Sequence, residues 1–404
     1  MQYDLDHLNQ KDISQDKALL LLMAIACGIC AGANYYSQPL INSIQLYFQA
    51  PASDVALNVT FAQVSYALGL LFIVPMGDIL NKTKFIPLLM FLASVGLFIC
   101  AFSVNLEMLW IGTIITGLFS VAAQILIPFA TMAVKPEKTG EVVGLLMSGL
   151  LVGILISTSL AGLLSNLFNW KLIYIVSGIL MLMVAVVLNL RLPYIKSSKM
   201  SYASIFRSMG QLLKDEPRLI FRSCIGAFAF ATMSILFSTI AILLSSSFQL
   251  SDVMIGLLTL VGIFGALSTK KIGQFADRGY TQTITWSGIG ILATSWIFLY
   301  FGQVYLISYI IGFGLINLGL ASVHSSNQNI IFRLSPDAKS RINSIYMTSY
   351  FIGGAAGSAL GIYAWHHGGW AMSCLVGVGL VIFAAFFCIT RFTFSPSPQY
   401  RITT

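Results

Sequence analysis

Residues 320–332, LASVHSSNQNIIF, bring one histidine, three serines and three side-chain amides into a single apolar run. A histidine among serines raises nucleophilic hydrolysis, in which the imidazole takes the serine proton. The spacing argues against it. Neighbours in sequence point about 100° apart on a helix, so Ser325 does not face His324, and no G-x-S-x-G elbow is present to expose a nucleophile. Amides and an imidazole are better suited to hydrogen-bonding a solute. An imidazole of ordinary pKa, about 6.5, can also carry a proton. Asn317, His324 and Gln328 are spaced by seven and four residues and share one helical face, with Asn327 beside it. Similar groups recur elsewhere: Asn34 and Gln38 one turn apart with Tyr35 alongside, Gln124 at the position 200 residues before His324, and a stripe of Asn343, Tyr346 and Tyr350.

The elements that would hold these residues follow from composition. The 404-residue chain is 57% hydrophobic and 9% charged, against about 25% charged in an ordinary globular protein; its mean hydropathy is +0.86. The apolar residues fall into twelve blocks, near 18–43, 56–77, 84–103, 107–132, 142–164, 170–192, 219–245, 254–272, 282–301, 304–331, 342–365 and 370–391. Each is close to the roughly 20 residues that cross a bilayer core as a helix. Polar groups such as those around His324 then lie within the membrane, where they are costly and usually face a protein interior or water.

The net charge of +8 is explained by topology. With the N-terminus inside, 21 of the 22 basic residues fall in inner loops, tails or the central linker, Arg222 among the last, and only Lys171 lies outside. This is the asymmetry of the positive-inside rule; it puts both termini in the cytoplasm and requires no nucleic-acid partner. No acid, lysine or arginine is expected well inside a span, which leaves His324 as the titratable group there. Residues 1–17 lack the basic start of a cleaved signal, so the first helix is expected to remain as an anchor. The six cysteines lie in or beside spans and the C-x-x-C of Cys27 and Cys30 has no partner pair, so no metal or other cofactor is expected.

The chain repeats at an offset of about 200 residues. Pro136 matches Pro336, Trp170 matches Trp370, and Asp78 matches Asp277 in the loop after the second helix of each half. Small residues recur at spacing four in the fifth helix (Gly149, Gly153, Ser157, Ala161) and the eleventh (Gly353, Gly357, Gly361), a pattern that lets helix backbones approach closely in lipid. The expected organisation is an N-terminal six-helix bundle at 1–192, a cytoplasmic linker at 193–218 and a C-terminal six-helix bundle at 219–404. The amphipathic YASIFRSMGQLL of the linker predicts a helix on the membrane surface.

Twelve helices in two repeated halves, with GQFADRG at 273–279, resemble the major facilitator superfamily and its G-x-L/F-A-D-R-x-G signature. VPMGDILNKTK at 74–84 is a degraded first copy in which Asn81, a residue tolerant of the left-handed turn, replaces a glycine. NYYSQPL (34–40), VPMGD (74–78), SNQ (326–328) and MTSYFIGGAAGSALG (347–361) resemble a bacterial subgroup of efflux permeases. The resemblance implies an all-α membrane fold of two pseudo-symmetric bundles whose helices one, four, seven and ten line a central cavity. Substrate contacts are then expected from His324, Asn317, Asn327, Gln328, Gln124, Asn34, Gln38 and Tyr350, with His324 as the proton-coupling candidate. It also implies a gate in which Asp78 meets Arg341, and Asp277, next to Arg278, meets Lys138.

Other residues limit that inference. The superfamily's drug/proton antiporters carry an arginine at the position of Thr113 and a G-P-x-x-G-G turn in the fifth helix, where GLLVGILISTSLAG (149–162) has no proline. The subgroup carries an arginine at the Thr158 position and an acid at Asn317. These absences weaken both proton antiport and a cationic substrate, and favour a neutral or amphipathic one. The expectation is a secondary transporter of a small organic molecule in the bacterial inner membrane, working by alternating access as a proton-coupled exporter, with uptake or facilitated diffusion of a neutral metabolite as the alternative. It is not expected to be an enzyme. One chain supplies both bundles, so a monomer suffices.

Overall fold

The computed structural model describes residues 12–134, 139–195, 201–263, 265, 268, 272, 275–334 and 338–394. Lys135, Pro136, Lys138, Lys196, Lys199, Lys270, Lys271, Pro336 and Asp337 lie outside this set, as do the side chains of Asp78, Asp277 and Arg278.

Among the described residues, nine helices are long and apolar enough to cross a membrane. The longest covers two spans, and the shorter apolar helices Lys17–Gly32 and Asp252–Gly262 begin two more, which gives the expected twelve. The first, α1, runs Lys17–Gly32, breaks at 33–40, and resumes as Ile41–Phe48. Helix α2 starts at Ala52, turns π-helical at Gly69–Ile73 and 3₁₀ at Val74–Asp78. After α3 (Lys82–Ala101), α4 also breaks, between Leu106–Phe119 and Ala122–Met132. Then come α5 (Thr139–Leu167), α6 (Leu172–Arg191), a linker helix (Tyr202–Asp215), and α7 (Pro217–Phe248). Helix α8 begins at Asp252 and tightens to 3₁₀ at Thr259–Gly262. Helices α9 (Thr281–Phe301) and α10 (Leu306–Ile331) follow, and α11 (339–367) is separated from α12 (370–394) by Gly368 and Gly369. We call the face holding residues 17 and 394 the inner face and the opposite one the outer, following the sequence expectation of cytoplasmic termini.

The small-residue stripes are where backbones meet. A methyl group built on Gly153 of α5 would lie 2.2 Å from Gly28 Cα of α1, and one on Gly357 of α11 would lie 2.1 Å from Ala231 O of α7. The two halves thus use equivalent helix pairs. The repeat extends to a turn the pattern of types did not mark: Gln49 and Gln249, 200 residues apart, end α1 and α7 in the left-handed conformation at φ 52° and 53°.

Three expectations are corrected. Arg222 is not a linker residue: it sits six residues into α7 and is fully buried. Asn81 is not left-handed; it has φ −63° and caps α3 by accepting from Thr83 N, whereas Gly279 in the second copy does take φ +93°. The linker helix rests on protein rather than only on lipid headgroups. Ile205 and Met209 are buried, Phe206 stacks on Phe72 of α2 at 6.0 Å, and Ser208 accepts from Arg341 of α11.

Candidate functional site

Midway between the bundles the structure assembles one connected aromatic and polar cluster. From α1, the break at 33–40 carries Tyr35 to the edge of Phe237 on α7, with ring centroids 5.5 Å apart. From α2, Tyr66 packs on Phe351 of α11 at 4.5 Å and accepts at its hydroxyl from Gln124 Nε2 of α4 at 3.4 Å. Phe230 of α7 joins these groups, stacked on Tyr350 at 4.1 Å and edge-on to Phe351 at 5.3 Å. His324 closes the chain, its ring 5.0 Å from Tyr350. Gln63 of α2, 5% exposed, accepts at Oε1 from Ser234 of α7 at 3.2 Å.

Local structure explains why these groups converge. A helix break frees backbone polar groups, which membrane proteins tolerate only where protein or water can satisfy them. In α1, Pro39 cannot donate to the ladder, and the break at 33–40 turns Asn34 toward the break in α4, where Asn34 Nδ2 donates to Ser120 Oγ at 2.9 Å and to Cys30 O at 3.2 Å. The π-helical turn of α2 likewise leaves carbonyls for partners on other elements. Leu70 O accepts from Ser344 of α11 at 2.7 Å, and Phe72 O accepts from Tyr202 of the linker helix at 2.8 Å.

The predicted residues divide into those that meet at the centre and those that do not. His324 is partly exposed, and its Nδ1 lies 3.1 Å from Tyr346 Oη. Tyr350 and Gln124 belong to the same cluster. Gln328 is partly exposed on the His324 helix, and Gln38 is buried at the α1 break. Asn317 leans on α8, with its Oδ1 3.1 Å from where a Cβ on Gly262 would sit. Asn327 turns into the C-terminal bundle: its Oδ1 accepts from the Arg222 guanidinium at 3.1 Å and its Nδ2 donates to Arg222 O at 3.2 Å. Thr285 of α9 also accepts from Arg222, at 3.0 Å. A buried cation therefore sits three hydrogen bonds behind His324, through Tyr346 and Asn327, since Asn327 Nδ2 approaches Tyr346 Oη at 3.5 Å.

Sequence reasoning missed Arg222, Gln63, Tyr66, Phe230, Phe237 and Phe351. Gln63 and Tyr66, at spacing three in TFAQVSYALG, were visible as a polar stripe; the phenylalanines were not separable from lipid-facing ones. It also missed the outer seal. Asp252 at the start of α8 is 8% exposed and accepts from Ser43 Oγ, from Asn42 Nδ2 at 3.4 Å and from Ser165 Oγ at 3.5 Å, joining α8 to α1 and α5. Ser245 of α7 donates to Asn42 Oδ1 at 3.1 Å, and Thr60 of α2 meets Ser358 of α11 at 2.8 Å. Burial raises the Asp252 carboxyl above the usual aspartate range, while the donors from Ser43, Asn42 and Ser165 pull it back. The outer halves of the bundles are thus in contact along four helix pairs, α1–α8, α5–α8, α1–α7 and α2–α11.

Comparison with known proteins agrees with this architecture. The family model of the Major Facilitator Superfamily matches residues 23–336 and 224–403. The uncharacterized transporter YgaY of Escherichia coli O157:H7 is 43% identical over 367 residues, covering 90% of this chain and 93% of that protein. Among solved structures, a bacterial homolog of the human lysosomal transporter Spinster, inward-facing and unoccupied, has a TM-score of 0.71 at 16% identity and covers 94% of this chain and 98% of its own. The nucleoside transporter NupG has a TM-score of 0.69 at 14% identity, covering 92% and 100%. By its sequence match along both halves and by its fold, the chain belongs to the Major Facilitator Superfamily of membrane transporters.

Proposed function

We propose that this transporter exports a small, neutral or amphipathic organic molecule across the bacterial inner membrane, drawing on the proton gradient. The observation that carries the proposal is the central cluster itself. It takes side chains from α1, α2 and α4 on one side and α7, α10 and α11 on the other, so a solute bound there touches both bundles. In this reading residues 1–192 and 219–404 are the two moving units, joined by 193–218, with both termini cytoplasmic and a monomer as the working form. Rocking one unit against the other exposes the site to each face in turn.

Aromatic faces supply apolar contact area with defined geometry. His324, Gln124, Gln328, Asn317 and Gln38 supply hydrogen bonds, while Asn34 is turned to Ser120 of α4 and Asn327 acts through Arg222 and Tyr346 rather than by direct contact. His324 is the proton-coupling group, as the imidazole nearest the centre. Asp78, Asp277, Arg278 and Arg341 form the inner gate. Export rests on the subgroup resemblance; uptake or facilitated diffusion of a neutral metabolite is the alternative, and the same site serves it.

The test is thermal unfolding of the purified protein against a chemically broad panel at about pH 6 and about pH 8, with His324→Gln alongside. A ligand that binds the folded state alone raises its stability. Stabilisation by amphipathic drug-like compounds, with a pH dependence that disappears in His324→Gln, is the expected result. Binding restricted to sugar-like or amino-acid-like compounds, with the pH profile unchanged in the variant, overturns export coupled through His324 and leaves the alternative.

A further inference from the structure

The N-terminal bundle holds a small cavity of its own, away from the central cluster. Its polar lining is Asn34 and Ser37 of α1, Asn58 of α2, Thr113 and Thr116 of α4 and Tyr174 of α6. Three buried polar atoms of this lining have no hydrogen-bond partner in the protein: Asn34 Oδ1, Asn58 Oδ1 and Tyr174 Oη. Asn58 is 1% and Tyr174 3% exposed. Buried polar atoms in folded proteins are ordinarily satisfied, so three on one cavity point to a bound species.

The orientation of the lining narrows its identity. Asn34 Nδ2 donates to Cys30 O and Ser120 Oγ. Flipping the amide would set its oxygen against the Cys30 carbonyl, so Oδ1 is held toward the cavity. Thr116 Oγ1 donates to Ala93 O at 3.5 Å and Thr113 Oγ1 pairs with Cys100 Sγ at 3.6 Å, which leaves at least one acceptor lone pair on each hydroxyl uncommitted. The wall therefore offers oxygen acceptors and no carboxylate. Hard cations take oxygen ligands, and divalent ones draw on carboxylates, so a wall of neutral oxygens suits a single positive charge. The cavity accommodates one water-sized occupant, which favours sodium over larger alkali ions.

We propose that this cavity binds a sodium-sized monovalent cation through the amide oxygens of Asn34 and Asn58 and the hydroxyls of Ser37, Thr113, Thr116 and Tyr174. The ion is a second ligand of the transport cycle, beside the proton at His324, and that role rests on the transporter reading given above. Asn34 lies at the α1 break, bonds Ser120 at the α4 break, and precedes Tyr35, which meets Phe237 across the bundle interface. Occupancy thus fixes both breaks and the contact between the bundles.

The test is thermal unfolding of the detergent-solubilised full chain titrated with sodium chloride, with choline and potassium chloride at matched ionic strength. Sodium should raise the melting temperature saturably where choline does not, with potassium weaker. Asn58→Leu should abolish that difference. Asn58→Asp, of equal size and adding a charge, should lower the half-saturating sodium concentration about tenfold, and it keeps the test decisive if the leucine variant does not fold. Equal effects of the three salts on the wild type would mean that the occupant is water and would overturn the proposal. So would a sodium-specific shift that Asn58→Asp leaves unchanged. The titration needs neither substrate nor transport, so its failure leaves the transporter reading standing, and an absence of transport in vesicles would leave the ion site standing.

Discussion

Asn327 and His324 are three residues apart on α10, yet they answer to different partners. Asn327 is fully buried between the Arg222 guanidinium and Tyr346, and His324 is partly exposed toward the central cluster. Replacing Asn327 by Leu, of similar volume, strands a donor of a buried cation and should cost about 1–3 kcal/mol. His324→Gln should be milder in thermal unfolding and stronger in its effect on ligand binding. If Asn327→Leu melts like the wild type while His324→Gln unfolds, the roles assigned to the two residues are reversed. The sequence placed both on the polar side of one helix and stopped there. Arg222 lies near enough to the inner end of α7 to be read as reaching water, as long basic side chains do near helix ends. Only the packing of α9 and α10 around it shows that it is retained by Thr285 and Asn327.

The elements were legible wherever twenty apolar residues sufficed, and the twelve blocks match the twelve spans. Their interruptions were not. The α4 break at 120–121 contains neither proline nor glycine, and nothing local distinguishes it from a continuous helix; it follows from what α1 and α2 place beside it. The outer boundary of α8 carries the clearest pH expectation. Because burial raises the Asp252 pKa in the sealed state, that state holds a proton more tightly than an opened one in which the carboxyl is solvated. The seal is then strongest below the ordinary aspartate range and weakens as pH rises through the raised value. Its partners Asn42, Ser43 and Ser165 do not titrate. Asp252→Asn should keep the seal protonated-like at every pH. Ser159 of α5 donates to Gly256 O of α8 at 3.2 Å, and labelling of Ser159→Cys by an impermeant maleimide, taken relative to a free thiol at each pH because the thiolate is the reactive form, should rise with pH in the otherwise wild-type protein and stay flat with Asp252→Asn; equal relative profiles would remove Asp252 from the seal. The left-handed Gln49 and Gln249 give a second check at this scale. Glycine at either should be neutral or stabilising by up to about 1 kcal/mol, and alike in the two halves.

At the scale of the whole molecule, the structure is closed on its outer face by bonds between bundles that the proposed alternating-access cycle has to break. Thr60 and Ser358 approach within 2.8 Å at their hydroxyls, near enough for cysteines at both positions to be brought to bonding distance. Oxidising the Thr60→Cys, Ser358→Cys pair should stop transport in vesicles and a reductant should restore it; uninterrupted transport with the cross-link formed would show that the outer face need not open. The 200-residue repeat made the two-bundle plan readable, because equal halves with matched tryptophans and acids leave few other arrangements. The meeting of the halves was not readable, because it depends on pairs such as Gln63–Ser234 that lie far apart in the chain. The π-helical turn at Gly69–Ile73 has one further consequence. It accommodates one residue more than an α-helical path would need, so everything after it on α2, including Asp78, is set about 100° out of phase with what precedes it. Deleting a single residue within 69–73 would carry the α-helical ladder on to the 3₁₀ segment at Val74–Asp78, and would at the same time rotate the inner end of α2 away from Ser344 and Tyr202. Here a shorter chain is the better-bonded helix and the worse machine, and insertions or deletions at this turn should be tolerated by folding and rejected by transport.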